Sequence, residues 1–406
     1  MLFPASPTAA RLAKSSSWRL FSTSCASRKQ DPFRILFCGS DDFSVASLQA
    51  VHNAKGNIDV VVPAERQVGR GGRKAYIPAL RQYAEKHNLP LSTVPPAGLK
   101  SWSPPSHFLP SPPSPSSPSS PPDNTNILLT ASFGHIIPSP LLALFAPTHR
   151  LNVHPSLLPR WRGAAPVQWT IAEGDEETGV SVQGLVGYGR GVDAGDIVGR
   201  VDGVPVPEDA TYKSLLPHLA LIGGDLLVDV LRQLQAGTAS FTPQNPTHIT
   251  LAPKITSPTA HVHFPEQTAV DIDRLHRGVG GQVPLWTTLM MGGRETTVQL
   301  LSVSVPPGGP GGPQDLSLPP GPVDPGTLLL LKTSPKDIRD RKKQLFVTCK
   351  DQTWLRVYAL KTAGGKRVLG GGEFWNGLGR GVREGGVRFG GEGEMEGKGK
   401  GKEKET

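Results

Sequence analysis

A nearly unbroken apolar run from Phe33 to Cys38 (FRILFC), interrupted only by Arg34 and stopped at Gly39, most restricts what this chain can become. A strand without polar alternation has to be covered on both faces, which suits the interior of a parallel sheet. The pattern recurs at Ile58–Val62 and Ile127–Ala131, and helical spacing over Phe43–Val51 and Ala79–His87 falls between the strands. Strands alternating with helices predict βαβ units in an open α/β sheet, Rossmann-like in layout, whose ligands sit beyond the strands' carboxyl ends. Thr211–Gln235 carries apolar residues at helical spacing and is expected to close this first unit, with Pro217 in the helix's first turn.

The rest of the chain divides by composition. Residues 101–122 contain nine Pro and nine Ser and read as an extended surface insertion that builds no core. The first unit is therefore 31–236 with that insertion inside it, and 237–254 reads as a linker. Short alternating runs at Val298–Val303, Thr327–Leu331, Leu345–Cys349 and Leu355–Leu360 predict a small β-barrel or sandwich over 255–390, with a Pro/Gly-rich loop at 305–326. Residues 391–406 are poor in apolar side chains and read as a disordered tail.

The net charge of +9 is unevenly spread. Residues 1–30 hold five basic groups and no acid, 101–330 are net acidic, and 331–390 carry 14 basic groups against five acids. A basic section beside an acidic middle suits a polyanion held next to a reaction centre, although a solvated basic face would look the same. Residues 1–30 fit a mitochondrial presequence: Arg11, Lys14 and Arg19 can oppose Leu12, Trp18 and Leu20 on an amphipathic helix, and the stretch lacks the continuous apolar core of a secretory signal. No run approaches the ~18 uninterrupted apolar residues of a membrane-spanning helix, so a membrane is not an expected partner. Three widely spaced cysteines, Cys25, Cys38 and Cys349, form neither a disulfide framework nor a Cys-rich zinc module.

The densest group of chemically capable residues is Asn152–Pro166, NVHPSLLPRWRGAAP. Asn152 and His154 lie two apart and share one side of a strand. An amide N–H can stabilise an oxyanion, and an imidazole moves protons near neutral pH. Asp193 and Asp196 follow in GVDAGD, a Gly-flanked turn able to set a carboxylate against an imidazole. By spacing alone, a buried hydrogen-bonded histidine and a loop aspartate explain the same residues.

Competing chemistries lack their signatures. Ser156 has no nucleophile elbow, Gly39–Phe43 lacks the dinucleotide fingerprint, and no phosphate-binding GxxxxGK[ST] loop occurs. His261 and His263 are more simply structural than metal ligands. Arg66 with QVGRGGRK, containing Arg70, Arg73 and Lys74, forms a Gly-rich basic loop that can neutralise phosphates or merely stay solvated.

These segments together resemble the methionyl-tRNA formyltransferases, in their mitochondrial form, within the folate-dependent formyltransferases. The resemblance is carried by RILFCGSDDFSVASL, ERQVGRGGRK, ASFGHIIP, the central NVHPSLLPRWRGAAPVQWTIAEGDEETGVSV, LAPKIT and GEFWNGL. It implies a Rossmann-like formyltransferase domain followed by an OB-like β-barrel. It also implies catalytic roles for Asn152, His154 and Asp193. A folate-contacting turn would fall at Ser156, Leu157, Leu158 and Pro159, with Phe133, Ile136 and Ile137 as pocket walls. Arg66, Arg70, Arg73 and Lys74 would face the tRNA. The implied reaction moves the formyl group of 10-formyltetrahydrofolate to methionyl-tRNA, without a metal, in a monomer of the mitochondrial matrix. Two stretches depart from the family pattern: the segment between Thr178 and Asp193 is longer, and Gly278–Pro284 replaces an aromatic-proline segment.

Overall fold

The computed structural model describes residues 33–390 apart from 55, 69–73, 111–121, 292, 307, 312–320, 333–342, 381–382 and 384–385. The expected presequence and C-terminal tail lie outside the described residues.

The first unit runs β1 (Arg34–Gly39), α1 (Asp42–Asn53), β2 (Asn57–Val62), the short hairpin β3 (Arg66–Val68) and β4 (Lys74–Tyr76), α2 (Ala79–Lys86), β5 (Leu91–Thr93), β6 (Asn126–Ala131), α3 (Ser139–Leu142), β7 (Arg150–His154), β8 (Arg162–Gly163), α4 (Pro166–Ala172), β9 (Glu177–Gly184), β10 (Ile197–Pro205) and α5 (Tyr212–Gln235). The main sheet has the order β10-β9-β7-β6-β1-β2-β5. The strands β5, β2, β1, β6 and β7 pair in parallel, and β9 and β10 add antiparallel at the β7 edge. Both faces are covered, as an unalternating strand requires. Ile35 and Phe37 of β1 face a cluster built with α1 and α5, whereas Leu36 and Cys38 face one built with Leu99, Phe108 and Phe145.

Two expectations need correction here. Phe108, inside the Pro/Ser-rich stretch, is 1% exposed and belongs to that second cluster. His107 beside it meets Asp59, so the stretch up to about Pro110 is docked on the sheet rather than free of the core. The aromatic side chain outweighs the prolines around it, because each can sit in an extended backbone that needs no N–H donor. Pro217 is the other correction. Thr211 caps α5 through a capping box with Ser214, so the helix starts at Tyr212 and the proline lies in its second turn. Pro217 and Lys213 are both exposed, so water can satisfy the carbonyl that the missing N–H leaves free. This 24-residue helix is long and apolar enough to cross a membrane, yet Leu215, Leu219, Leu227, Val230 and Leu231 are buried in the first core.

Beyond β11 (Leu251–Ala252), which pairs in parallel with β8, the chain forms a second core. Its elements are α6 (Ala269–Val279), β12 (Leu285–Met291), β13 (Arg294–Ser304), β14 (Leu328–Lys332), β15 (Lys343–Thr348), β16 (Trp354–Thr362), β17 (Leu369–Gly370) and α7 (Gly371–Gly377). The antiparallel path is β12-β13-β16-β15-β14, with β17 beside β16. The two path edges share one further neighbour. Phe389 bridges to Leu289 of β12 and Arg388 bridges to Thr327, while the Leu328 N–H donates to the Val387 carbonyl at 2.8 Å. Helix α6, capped by Thr268 and Asp271, was not anticipated among the short alternating runs. It packs on the second core and against α4, where the Gly278 Cα lies close to the Gln168 carbonyl.

Candidate active site

The carboxyl ends of β1, β6 and β7 converge on a cavity of about 500 Å³, within the usual size range of small-molecule sites. Asp41, Thr130, Phe133, Ile136, Ile137, Asn152, His154, Gln183 and Asp193 are among the residues that line it. Open α/β sheets place their ligands at this end because the loops there diverge to opposite faces.

Asn152 and His154 both reach the cavity from β7, and Asp193 comes to them from the turn between β9 and β10. The Thr130 hydroxyl donates to Asn152 Oδ1 at 2.7 Å, which turns the Asn152 amide nitrogen towards Asp193 Oδ1, 3.4 Å away. His154 is 5% exposed. Its Nε2 lies 2.9 Å from the Trp161 carbonyl, an acceptor only, so Nε2 carries the hydrogen. Nδ1 then holds the lone pair and faces Asp193 Oδ2 across 3.7 Å, too far for a hydrogen bond but close enough for an ion pair once the ring is protonated. The imidazole is thus oriented by the Trp161 carbonyl rather than by Asp193. Asp193 accepts from two neutral donors, Gln183 Nε2 on Oδ1 at 2.7 Å and the Gly163 N–H on Oδ2 at 3.0 Å.

Gln183 and Trp161 are site residues that sequence reading missed as such. A signal was present for Gln183. It is the one long polar side chain in the buried run GVSVQG, is 1% exposed, and a buried amide in a strand needs a partner. Nothing local marked the Trp161 carbonyl, whose aim depends on a left-handed backbone (φ 61°). Asp41 was also overlooked. It caps α1 through the Ser44 N–H and lines the cavity, and burial pushes its carboxyl up from 3.8.

Phe133 and Ile137 form apolar walls, and Ile136 stands at the rim, 63% exposed. Ser156, Leu157, Leu158 and Pro159 do not line the cavity. Ser156 donates to the Arg160 carbonyl, and the Leu158 N–H donates to the Ser181 hydroxyl, so this turn is buried support behind β7. The expected folate-contacting turn thus packs against β9, with the Ser156 hydroxyl used inside the turn and the Leu158 N–H used by Ser181. Arg66 stacks over Tyr76 at 5.2 Å on the β3–β4 hairpin. His135 lines the cavity, and burial, with the Arg66 charge second, lowers its pKa. Arg70 and Arg73 lie outside the described residues, as does the Lys74 side chain. Asp196 is not among the lining residues. His261 stacks on Trp286 at 4.0 Å, and no group of three or more His, Cys, Asp or Glu among the described residues could hold a metal.

This fold and site have counterparts. Residues 34–231 match the family described as formyl transferase, and 254–379 match the formyl transferase C-terminal domain. Two crystal structures share the fold at 14% identity. A sugar 3N-formyl transferase has a TM-score of 0.51, covering 80% of this chain and 97% of its own, and an N-formyltransferase from Helicobacter canadensis has a TM-score of 0.50, covering 80% and 98%. The chain therefore has the fold of these structures and both domains of the formyl transferase family. Among curated relatives, the mitochondrial methionyl-tRNA formyltransferase of Bos taurus is 30% identical over 91% of this chain and 83% of its own length. That of Mus musculus is 31% identical over 68% of this chain and 64% of its own length, just under two thirds. The bacterial enzyme of Lacticaseibacillus casei is 34% identical over 62% and 74%. The chain belongs to the methionyl-tRNA formyltransferase family.

Proposed function

We infer that the chain transfers the formyl group of 10-formyltetrahydrofolate to the α-amino group of methionyl-tRNA, for translation initiation in the mitochondrial matrix. The convergence of Asn152, His154 and Asp193 on one cavity at the strand ends carries this reading. The amine nitrogen bonds to the formyl carbon, its carbonyl oxygen takes up negative charge, and the bond from that carbon to the folate nitrogen then breaks. The Asn152 amide donates to the developing oxyanion. His154 Nδ1, with its lone pair free, takes the proton the amine loses, and Asp193 stabilises the resulting imidazolium. A proton returned from His154 leaves with the folate nitrogen. Phe133, Ile136 and Ile137 hold the flat folate rings, and the Ser156–Pro159 turn supports them from behind β7.

The tRNA acceptor end lies along Arg66, Arg70, Arg73 and Lys74, and the basic section 331–390 holds its backbone. The second core is read as an OB-like barrel in which residues 387–389 close the gap between β12 and the Thr327 edge, supported by the bridges at Arg388 and Phe389. We read the protein as a monomer without a membrane partner and without a metal. The test is an assay of protein from Asp31 onward with 10-formyltetrahydrofolate and charged initiator tRNA. Formylmethionyl-tRNA is the expected product; no product from folded protein, or equal formylation of free methionine, overturns the reading.

A further inference from the structure

We propose that Gln244 and Thr250, in the segment joining the two cores, are positioning residues for His154. The proposal rests on the formyl-transfer reading and extends that site. The two groups facing the imidazole are the Trp161 carbonyl and the Asp193 carboxylate, and both residues have left-handed backbones, with φ of 61° and 50°. Non-glycine residues keep such conformations only where their surroundings over-determine them. Side chains of the joining segment do so here. The Trp161 N–H donates to Thr250 Oγ1 at 2.9 Å. Gln244 Nε2 donates to the Asp193 carbonyl at 2.8 Å and to the Gly195 carbonyl at 2.7 Å. Gln244 Oε1 accepts from Arg162 Nε and Nη2 at 2.9 and 2.7 Å.

The amide of Gln244 thus ties the Asp193 turn to the strand carrying Arg162 and Gly163, with both hydrogens and the oxygen used. Neither Gln244 nor Thr250 lines the cavity, so they act through the residues they hold. Backbone geometry makes the contact close. Gly163 (φ 129°) lies against the Ala252 carbonyl, where a Cβ would collide, and the Gly195 Cα presses on the Gly184 carbonyl in the same way. The chain then runs from Ala252 into the second core. Two side chains of the joining segment therefore hold both partners of the histidine.

Gln244→Glu separates this role from simple adhesion, because it keeps the acceptor for Arg162 and loses both donors to the Asp193 turn. The expected result is a kcat about tenfold lower or more, since small displacements of reacting groups cost rate steeply, with KM for both substrates little changed. Thr250→Val is expected to act alike, and Thr250→Ser to restore the rate. In a His154→Ala background, Gln244→Glu adds no further loss. Nitrogen–proton NMR signals of the His154 ring should shift in Gln244→Glu protein without substrates. A wild-type kcat in Gln244→Glu, an undiminished extra loss in the His154→Ala background, or an unshifted His154 ring each overturns the proposal. If the parent protein fails to formylate methionyl-tRNA while the ring signals still shift, the functional reading falls and the positioning role stands.

Discussion

The first core keeps His154, Gln183, Ser181 and Thr130 buried among its apolar side chains, whereas Thr287 and Thr348 are the buried polar residues of the second core among those described. The difference follows from what each sheet has to do. In the parallel sheet, strand ends and the turn after β9 bring hydrogen-bonded polar atoms to one cavity, at the cost of desolvating them. The antiparallel sheet around Leu345, Leu355 and Leu360 needs only apolar packing inside, and Lys343, Lys366 and Arg367 are exposed. One unit gathers polar side chains in its interior, and the other buries few among its described residues.

This contrast can be broken by substitution. His154→Ala should have the largest effect, lowering turnover by on the order of 10²-fold or more while leaving tRNA binding intact; single-turnover rates together with filter binding check it, and normal turnover would refute the assignment. Leu345→Ala, at a fully buried position of the second core, should cost about 2–5 kcal/mol in denaturant unfolding. Its kcat, measured well below the melting temperature, should stay near that of the parent, and a comparable loss of kcat would show that the division of labour is false.

The smallest effect concerns Asp41, where the site and the fold share one carboxylate. Burial raises its pKa in the folded chain, so the folded state resists ionisation that the unfolded chain accepts. Its contribution to stability therefore falls as pH rises through the range between the unfolded and folded pKa values. Asp41→Asn keeps an acceptor for the Ser44 N–H and removes that burden, so it should melt slightly higher than the parent at neutral pH and alike in acid. A lower melting temperature at pH 7 would mean that the charge itself is needed.

Much of the first unit was legible because its strands are apolar throughout and its helices have clear periodicity. That Asn152 and His154 share one side of a strand was legible from their two-residue spacing, whereas their grouping with Asp193 came from the family resemblance. The antiparallel pair β9 and β10 was not, since Gly179, Gly184 and Gly199 give those segments the look of a loop. The Trp161 carbonyl and the Gln244 amide were invisible for a different reason. The Trp161 carbonyl meets His154, seven residues away, through a left-handed backbone torsion, and the Gln244 amide spans 51 residues to Asp193; local patterns encode neither. Phe108 shows the converse: one aromatic side chain can anchor a stretch whose average composition denies it a core.

The pairing of Arg388 and Phe389 bears on where the chain can be cut. The match to the formyl transferase C-terminal domain ends at residue 379, but Val387 and Phe389 are 2% and 1% exposed and lie in the same apolar cluster as Leu328 and Leu345. A polypeptide ended at the family boundary would lose two interior side chains and leave the Leu328 N–H and the Gly326 carbonyl without their partners. The practical border of this domain is drawn by hydrogen bonding, beyond the last residue matched to the C-terminal domain family.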